Sequence, residues 1–508
     1  MSEVPAVSGR LGQGSEPGLG ASLAGGTRFF CTAGRGLEPF LMREVQARLG
    51  ATQVEYVSGK VFFTTFSDLN ILKKLKSAER LFLLIKKQCP LNVSSANKGR
   101  LFSEMRSLVN DDPGIWLNGL SIWKSLLELD AKDRKLMQEN SNPLKRKVEK
   151  NDIIIAKSLK IEQMQDIHEN RHSHLEETLD QDLITKREHF QDEFQNAAKK
   201  ALVDHNDVVT FRVSCRCSGS VGKAFTSQEI ERVIGVALMK QLGWKADLRK
   251  PNLEVFVHLN DVYSLVGIPV FRVPLASRTY IRTAGLRSTV AWAMASLAEI
   301  KAGTFVLDPM CGLGTILLEA ANEWPDVYYM GADVSDSQLL GACDNLQAAG
   351  LNDKIELLKV SAVELPLASE SVDIIISDIP FGKKFKLEKD IRSILQEMER
   401  VLRVGGTAVL LLSEDHHRQL RGRGGSDHTS GPGVEKGSNP EGNSDTAEES
   451  TLAFQAGNQE GLDKMAPFGS LVPVECYKVS LGKTDAFISK YRKSSAVTAV
   501  DPLQVHTS

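Results

Sequence analysis

Val306-Leu307-Asp308-Pro309-Met310-Cys311-Gly312-Leu313-Gly314-Thr315 decides the fold. An apolar run ends in an acid, two glycines follow, and Thr315 to Ala321 then carries helical spacing. The pattern is a strand, a tight turn and a helix, with glycines that let the backbone pass close to a ligand at the helix N-terminus. Outward from it, strands are predicted over Thr304–Leu307, Val327–Ala332, Lys354–Val360, Ser371–Ser377 and Thr407–Leu412. Helices over Thr315–Ala321, Ser337–Ala349 and Ile391–Leu402 intervene. Strand–helix alternation means a parallel, doubly wound α/β sheet. Val472–Val479 and Ala486–Ser489, around a turn at Gly482, add a closing antiparallel pair that plain dinucleotide-binding folds usually lack.

A lone Gly-x-Gly is weak, since ordinary tight turns use it too. Here Asp333 ends the next strand nineteen residues after Gly314, where a carboxylate can take both ribose hydroxyls. A dinucleotide site wants three glycines and a helix aimed at pyrophosphate. Gly312 and Gly314 are only two, and Asp308 at the strand tip repels pyrophosphate but suits a cationic amino-acid moiety. S-adenosylmethionine carries an ammonium, a sulfonium and a ribose, and no phosphate. It is the cofactor that fits.

The second constellation is Ser377-Asp378-Ile379-Pro380-Phe381-Gly382, projecting from the end of the fourth strand, where open α/β sheets bind ligands. An exocyclic amine on a nucleobase is a poor nucleophile because its lone pair is delocalised into the ring. Asp378 and a backbone carbonyl of Ile379 or Pro380 can accept its two N–H bonds and localise that pair. Proline stiffens the loop, and Phe381 offers a face for stacking, worth about 1–3 kcal/mol. Alone, the same residues make an Asp-capped turn. Beside the first constellation they make a candidate catalytic loop.

Both constellations resemble the class I methyltransferases that act on exocyclic nitrogens, whose loop is Asp/Asn-Pro-Pro-Tyr or Asp-Leu-Pro-Phe-Gly. The resemblance implies that Asp308, Gly312, Gly314 and Asp333 bind the cofactor. At the end of the third strand that family often has Asp-Ala against the adenine amine. Ser361-Ala362 stands there instead, which implies weaker cofactor binding or a dependence on a partner.

The front of the chain resembles a THUMP module with its ferredoxin-like companion. The matching residues are Arg35-Gly36-Leu37-Glu38, Ser77-Ala78-Glu79-Arg80, Phe211-Arg212-Val213 with Arg216, Phe225-Thr226-Ser227-Gln228-Glu229-Ile230, Gly235, Asp247-Leu248 and Pro251-Asn252. Together the two halves resemble the eukaryotic THUMP-domain guanosine-N2 methyltransferases. That resemblance implies a structured RNA substrate, a tRNA or a small nuclear RNA, and a small zinc-binding activator subunit. Arg212, Arg216 and Lys223 are candidate phosphate contacts, and Lys383, Lys384 and Lys386 follow the catalytic loop; solvated surface charge is the competing reading. Arg282 and Arg287 precede the first methyltransferase strand and are weaker candidates to line the site.

The implied organisation is a leader at 1–27, a ferredoxin-like domain at 28–97, a charged insertion at 98–202 and a THUMP domain at 203–275. A methyltransferase domain follows at 276–420, interrupted at 421–466, completed at 467–493 and trailed by 494–508. Early residues read as strand Phe29–Ala33, helix Leu37–Leu49 stopped by Gly50, strands 54–57 and 61–64, helix Asp68–Leu75 and strand Leu81–Ile85, a βαββαβ order. Later, Ser227–Leu242 reads as a helix capped by Thr226 or Ser227, and Asn260-Asp261 as a hairpin turn.

Composition excludes little. The 508 residues carry a formal net charge of −2, which argues neither for nor against RNA, because only the contacting face must attract phosphate. Seven scattered cysteines lack a Cys-x2-Cys pair, so no metal site is expected, and Cys311 reads as packing. No run of about 18 apolar residues predicts a membrane span. The leader lacks an apolar core, so the expected address is nucleus or cytoplasm; Pro143-Leu144-Lys145-Arg146-Lys147 has the composition of a nuclear signal, but solvated charge is the favoured reading of so short a cluster. Two other classes compete: an RNA-binding protein keeping the fold as scaffold, against which intact Asp378 and Phe381 count, and a protein-glutamine methyltransferase, against which the front half counts. A thiouridine synthase on the same module is disfavoured, because no Ser-Gly-Gly pyrophosphatase loop is present.

Overall fold

The computed structural model describes residues 26–57, 59–93, 98–140, 209–283, 285–381, 391–421, 462, 465–482 and 484–495. The chain divides into two compact units. Met1–Phe29, Thr64–Asn70 and Leu83–Ile268 make the first; Phe30–Phe63, Ile71–Phe82 and Pro269–Ser508 make the second.

The chain opens with β1 (Thr27–Thr32), α1 (Glu38–Leu49), β2 (Thr52–Val57), β3 (Lys60–Thr65), α2 (Leu69–Leu72) and β4 (Arg80–Gln88), the strands lying in the order β2-β3-β1-β4. This is the split βαβ arrangement that the sequence predicts. Helix α1 begins with a proline in its first turn and stops at Gly50 in the left-handed conformation, whose N–H closes on the Val45 carbonyl. Helix α2 is a single turn, shorter than the 68–75 helix expected.

In the first unit, α3 (Lys98–Asn110) and α4 (Pro113–Asn140) open the stretch read as a charged insertion. Leu101, Met105, Leu108 and Val109 recur at helical spacing and are buried, and the Trp116 indole donates to the Leu108 carbonyl at 3.3 Å. Trp116 also meets Trp244 edge-on, and Phe102 meets Phe225. That stretch therefore begins as packed core; its charged remainder, 141–202, lies outside the described residues, as do 203–208. Next come β5 (Thr210–Cys217), α5 (Gly219–Ala224), α6 (Ser227–Leu242), β6 (Lys245–Ala246), β7 (Leu253–Leu259) and β8 (Ser264–Pro269), with strands ordered β8-β7-β5-β6. Thr226 caps α6 in a full capping box with Glu229. Asn260 accepts from the N–H groups of Val262 and Tyr263, which makes the β7–β8 turn.

The second unit continues with α7 (Ser288–Leu297), β9 (Phe305–Asp308), α8 (Thr315–Glu323), β10 (Tyr328–Asp333), α9 (Asp336–Ala349), β11 (Ile355–Lys359), β12 (Val372–Asp378), α10 (Ile391–Val401), β13 (Leu402–Leu412), α11 (Glu414–Arg421), β14 (Leu471–Ser480) and β15 (Asp485–Lys493). Its sheet runs β11-β10-β9-β12-β13-β15-β14. The first five strands pair in parallel, and β13–β15 and β15–β14 are antiparallel. Strand order reverses between β9 and β12, so a crevice opens at their carboxyl ends. Helices α7 and α11 were not read from sequence. Ser288 to Leu297 is buried on nearly every side, so it has no polar face and no amphipathic period to detect.

Segments 30–63 and 71–82 fasten onto this sheet's surroundings. The turn at Gly36 has φ +91° and lies so close to the closing hairpin that a Cβ would sit 1.9 Å from the Lys478 carbonyl oxygen. The Ser480 N–H donates to the Arg35 carbonyl at 2.9 Å, and Arg43 donates to the Tyr477 hydroxyl at 2.7 Å. Glu44, buried, accepts from the backbone N–H groups of Lys76 and Ser77 and from Arg48, and burial raises its carboxyl.

The deepest tie is Arg278 with Glu319 on α8. The guanidinium donates to both carboxylate oxygens, at 3.0 and 3.2 Å, and to the Lys76 carbonyl at 2.8 Å. Tyr280 adds a 2.7 Å bond to the same carboxylate. The two side chains are 5% and 0% exposed, so neither can turn to water. Arg278→Met strands Glu319 without its cation and should cost about 3–5 kcal/mol, read as a lowered urea midpoint for the second unit. Arg278→Met with Glu319→Leu should recover much of that loss. A single-variant cost under about 1 kcal/mol, the scale of an exposed pair, refutes the assignment.

Candidate active site

The crevice is assembled from three strand tips. Asp308 ends β9 and is 1% exposed. Its Oδ1 accepts from the Ser377 hydroxyl at 2.9 Å and from the Met310 N–H at 3.2 Å. Burial pushes its carboxyl up to about 8, against those two hydrogen bonds and with added repulsion from Asp378 and Asp333. Asp333 ends β10; its oxygens accept from the N–H groups of Gly312 and Ser335, each at 2.9 Å. One acid thus holds the glycine loop while facing the crevice.

Gly312 and Gly314 have φ +50° and +75°, the left-handed region that a side chain resists. Gly314 caps α8, so the first-turn N–H groups of that helix remain open toward the loop. Asn345 on α9, fully buried, clamps the assembly: its Oδ1 accepts from the N–H groups of Arg282 and Thr283, and its Nδ2 donates to the carbonyls of Thr283 and Leu313. Cys311 is buried in the core cluster with its thiol raised by desolvation, in agreement with a packing role.

Ser361 and Ala362 follow β11. The Val360 N–H donates to the Asp333 carbonyl at 3.1 Å, which ties this turn to the end of β10. Ala362 is buried, and the Ser361 carbonyl accepts from Glu364.

Asp378 ends β12, the neighbour of β9, and burial pushes its carboxyl up to about 7. The Ile379 N–H extends the ladder to the Leu411 carbonyl at 3.2 Å, and the Ile379 side chain is wholly buried. Only the backbone of Ile379 can therefore serve the site. Pro380 and Phe381 are partly exposed, and Phe381 packs against the core on one side. Its ring meets His416 of α11 edge-on, centroids 6.0 Å apart. Gly382, Lys383, Lys384 and Lys386 lie outside the described residues.

Arg212, Arg216 and Lys223 are exposed in the first unit. Arg212 and Arg216 share a face of β5, and Arg212 is paired with Glu254 at 2.9 Å. Arg282 reaches the cofactor side through its backbone, by way of Asn345. Sequence reasoning missed Asn345, Ser377 as the partner of Asp308, and His416. A hydroxyl next to a catalytic acid could have been flagged; nothing in a lone helical asparagine marks it as a clamp. Among the described residues no group of three or more His, Cys, Asp or Glu is arranged to hold a metal, and no helix is long and apolar enough to cross a membrane.

Residues 276–421 match the family described as RMKL-like, methyltransferase domain, and residues 188–268 match the THUMP domain family. The chain is 70% identical over 495 residues to the Homo sapiens U6 snRNA (guanine-N(2))-methyltransferase THUMPD2, covering 94% of this chain and 98% of that one. It is 28% identical over 414 residues to the Bos taurus tRNA (guanine(6)-N(2))-methyltransferase THUMP3, covering 76% and 80%. Among solved structures, TrmN from Thermus thermophilus aligns with a TM-score of 0.54 at 19% identity, over 92% of this chain and 99% of that one. SMU.472, complexed with SAH, aligns at 0.51 and 14% identity, over 92% and 98%. These last two bear on fold alone. With near-complete coverage at that identity, over a sheet and loops of this geometry, the chain belongs to the THUMP-domain RNA guanine-N2 methyltransferases.

Proposed function

We propose that this chain methylates the N2 amine of a guanosine in U6 small nuclear RNA, with S-adenosylmethionine as donor. One observation carries the reaction: Asp378 and Phe381 stand at the tip of β12, beside β9 and its Asp308–Gly314 loop. The choice of U6 over tRNA rests on identity, 70% to the U6 enzyme against 28% to the tRNA enzyme.

The donor set suits the cofactor. Three carboxylates converge, and among the described residues the groups acting most strongly on Asp308 include no cation. A ligand bringing positive charge relieves that repulsion, whereas pyrophosphate worsens it. Asp333 can take ribose hydroxyls with its remaining lone pairs. Bound there, S-adenosylmethionine supplies an electrophilic methyl group on its sulfonium. SMU.472, of the same fold, was solved with the demethylated product SAH, which agrees with this choice.

The protein's own part is positioning. As a carboxylate, Asp378 accepts from the amine while a carbonyl of Ile379 or Pro380 takes its second N–H. Phe381 stacks the base, so the nitrogen lone pair points into the crevice rather than into the ring. The proton shed afterwards can pass to Asp378 or to water. An activator subunit is part of the proposal. It is supported by the family resemblance and by β11, an edge strand, near the exposed apolar residues Tyr328, Val334 and Leu340. A nuclear address agrees with a U6 substrate.

The charge argument has a stability signature. Between about pH 4 and 8 the folded chain holds a proton on Asp308 that the unfolded chain has released, so stability falls as pH rises through that window. Asp308→Asn should reduce the slope, leaving the part that Asp378 contributes: its melting temperature should exceed that of wild type near pH 7.5, and the gap should shrink toward pH 5. Parallel melting curves against pH for the two proteins would refute the assignment of this charge to Asp308.

The reaction is tested by nucleoside mass spectrometry of U6 RNA and tRNA from cells lacking the protein, with wild type or Asp378→Ala re-expressed. N2-methylguanosine should vanish from U6 and return with wild type alone. Loss from tRNA instead transfers the substrate. No change in either fraction defeats the proposal and leaves the scaffold and protein-substrate readings.

A further inference from the structure

Helix α11 starts where β13 ends, and β13 lies beside β12 in the sheet, so its first turn stands next to the Asp378–Phe381 loop. Ser413 precedes the helix and forms a reciprocal pair with His416. The Ser413 hydroxyl accepts from the His416 N–H at 3.2 Å, and His416 Nδ1 accepts from the Ser413 N–H at 3.4 Å. The arrangement is a capping box with imidazole in the place usually held by Glu.

That pairing fixes the tautomer. Nδ1 is an acceptor, so the neutral ring carries its proton on Nε2. Burial lowers the imidazole's proton affinity, with Asp415 opposing, which favours this neutral form. Nε2 meets no hydrogen-bond partner among the described residues, although His416 is only 6% exposed. Its neighbour differs. His417 Nε2 lies 3.3 Å from the Ser489 hydroxyl and its ring packs edge-on to Phe487, a structural role in the closing hairpin. His416 instead sets its ring against Phe381, the residue on which the base stacks.

Guanine N2 is flanked by the N1–H donor and the N3 acceptor. Adenine N6 is flanked by two acceptors, N1 and N7. A carboxylate at Asp378 can take the amine and N1–H, which leaves N3 as the acceptor on that edge and the His416 Nε2–H as a donor beside the loop among the described residues. We propose that His416 is a base-reading residue, donating its Nε2–H to N3 of the target guanine. The inference rests on the guanine-N2 reading of the site and adds the means by which it selects guanine.

The test is a chemical double-mutant cycle. Full-length protein is purified from expressing cells, so that any subunit it requires accompanies it. Steady-state kinetics are measured on U6 RNA carrying guanosine or 3-deazaguanosine at the target. In His416→Asn the side-chain oxygen keeps the Ser413 cap but nothing occupies the Nε2 position; in His416→Gln the amide nitrogen returns a donor there. His416→Asn should lower kcat/KM roughly 10- to 100-fold on guanosine RNA, the worth of one hydrogen bond to a desolvated acceptor. His416→Gln should restore several-fold of it. The 3-deaza substitution should cost wild type a similar factor and His416→Asn little more.

Wild-type kcat/KM in His416→Asn, or losses that multiply across the cycle, overturns the proposal. Wild type indifferent to 3-deazaguanosine overturns it without recourse to any variant. Wild type inert on guanosine RNA sinks the functional reading itself, a distinct result.

Discussion

Asp308 is the constraint around which the second unit is arranged. It is an acid at the tip of a central strand, wholly removed from water, with Asp333 and Asp378 on the strands to either side. Left charged, such a group costs several kcal/mol; left without hydrogen bonds, more. Among the described residues the fold supplies the Ser377 hydroxyl and the Met310 N–H, and no positive side chain is hydrogen-bonded to it. Both the glycine loop and the reversal of strand order then make sense as one device. They open a space just where a cationic ligand finishes the electrostatic work that the protein leaves undone.

An incomplete site of this kind needs rigid walls, because its own charges push apart. The walls here are buried polar ties. Asn345 joins the 282–283 segment to the glycine loop, and Arg278 with Glu319 joins the preceding segment and Lys76 to the cofactor helix. Gly36 lets the front turn press against the closing hairpin. The front segments of the second unit are thus part of what holds the crevice, and a substitution there can reach the chemistry through packing alone.

How much of this was legible follows from the range over which each signal acts. The parallel sheet, the Gly312–Gly314 turn, Asp333, the Asp378–Phe381 loop and the closing hairpin are encoded in runs of fewer than about ten residues, where strand, turn and helix preferences agree. Helix α7 was missed because complete burial erases its period. Helices α3 and α4 begin a stretch whose charged composition, read as a whole, hid an apolar stripe at Leu101, Met105 and Leu108. Asn345 and Ser377 act on partners 62 and 69 residues away, and no local pattern marks them. His416 was invisible for a further reason. Its meaning depends on Nδ1 being spoken for by Ser413, which only coordinates reveal.

In the proposed reaction the Asp378–Phe381 loop reads only part of its substrate. A carbonyl and an aromatic face serve any exocyclic amine, and Asp378 can add the guanine N1–H but not N3. Selectivity among bases needs a group that reads the atoms beside the amine, and for guanine those are one donor and one acceptor. In the proposed reaction β9 and β10 hold the cofactor through Asp308 and Asp333, and the Ile379 side chain lies in the core. Strand β11 leads into Ser361-Ala362 on the Asp333 side, which leaves β13 as the parallel strand tip next to β12. Strand β13 lies parallel beside β12, so the residues following Leu412 stand next to the Asp378–Phe381 loop. In the proposed reaction the division of labour matches the topology: inner tips hold the donor, the β12 loop presents the amine, and the start of α11 reads the base.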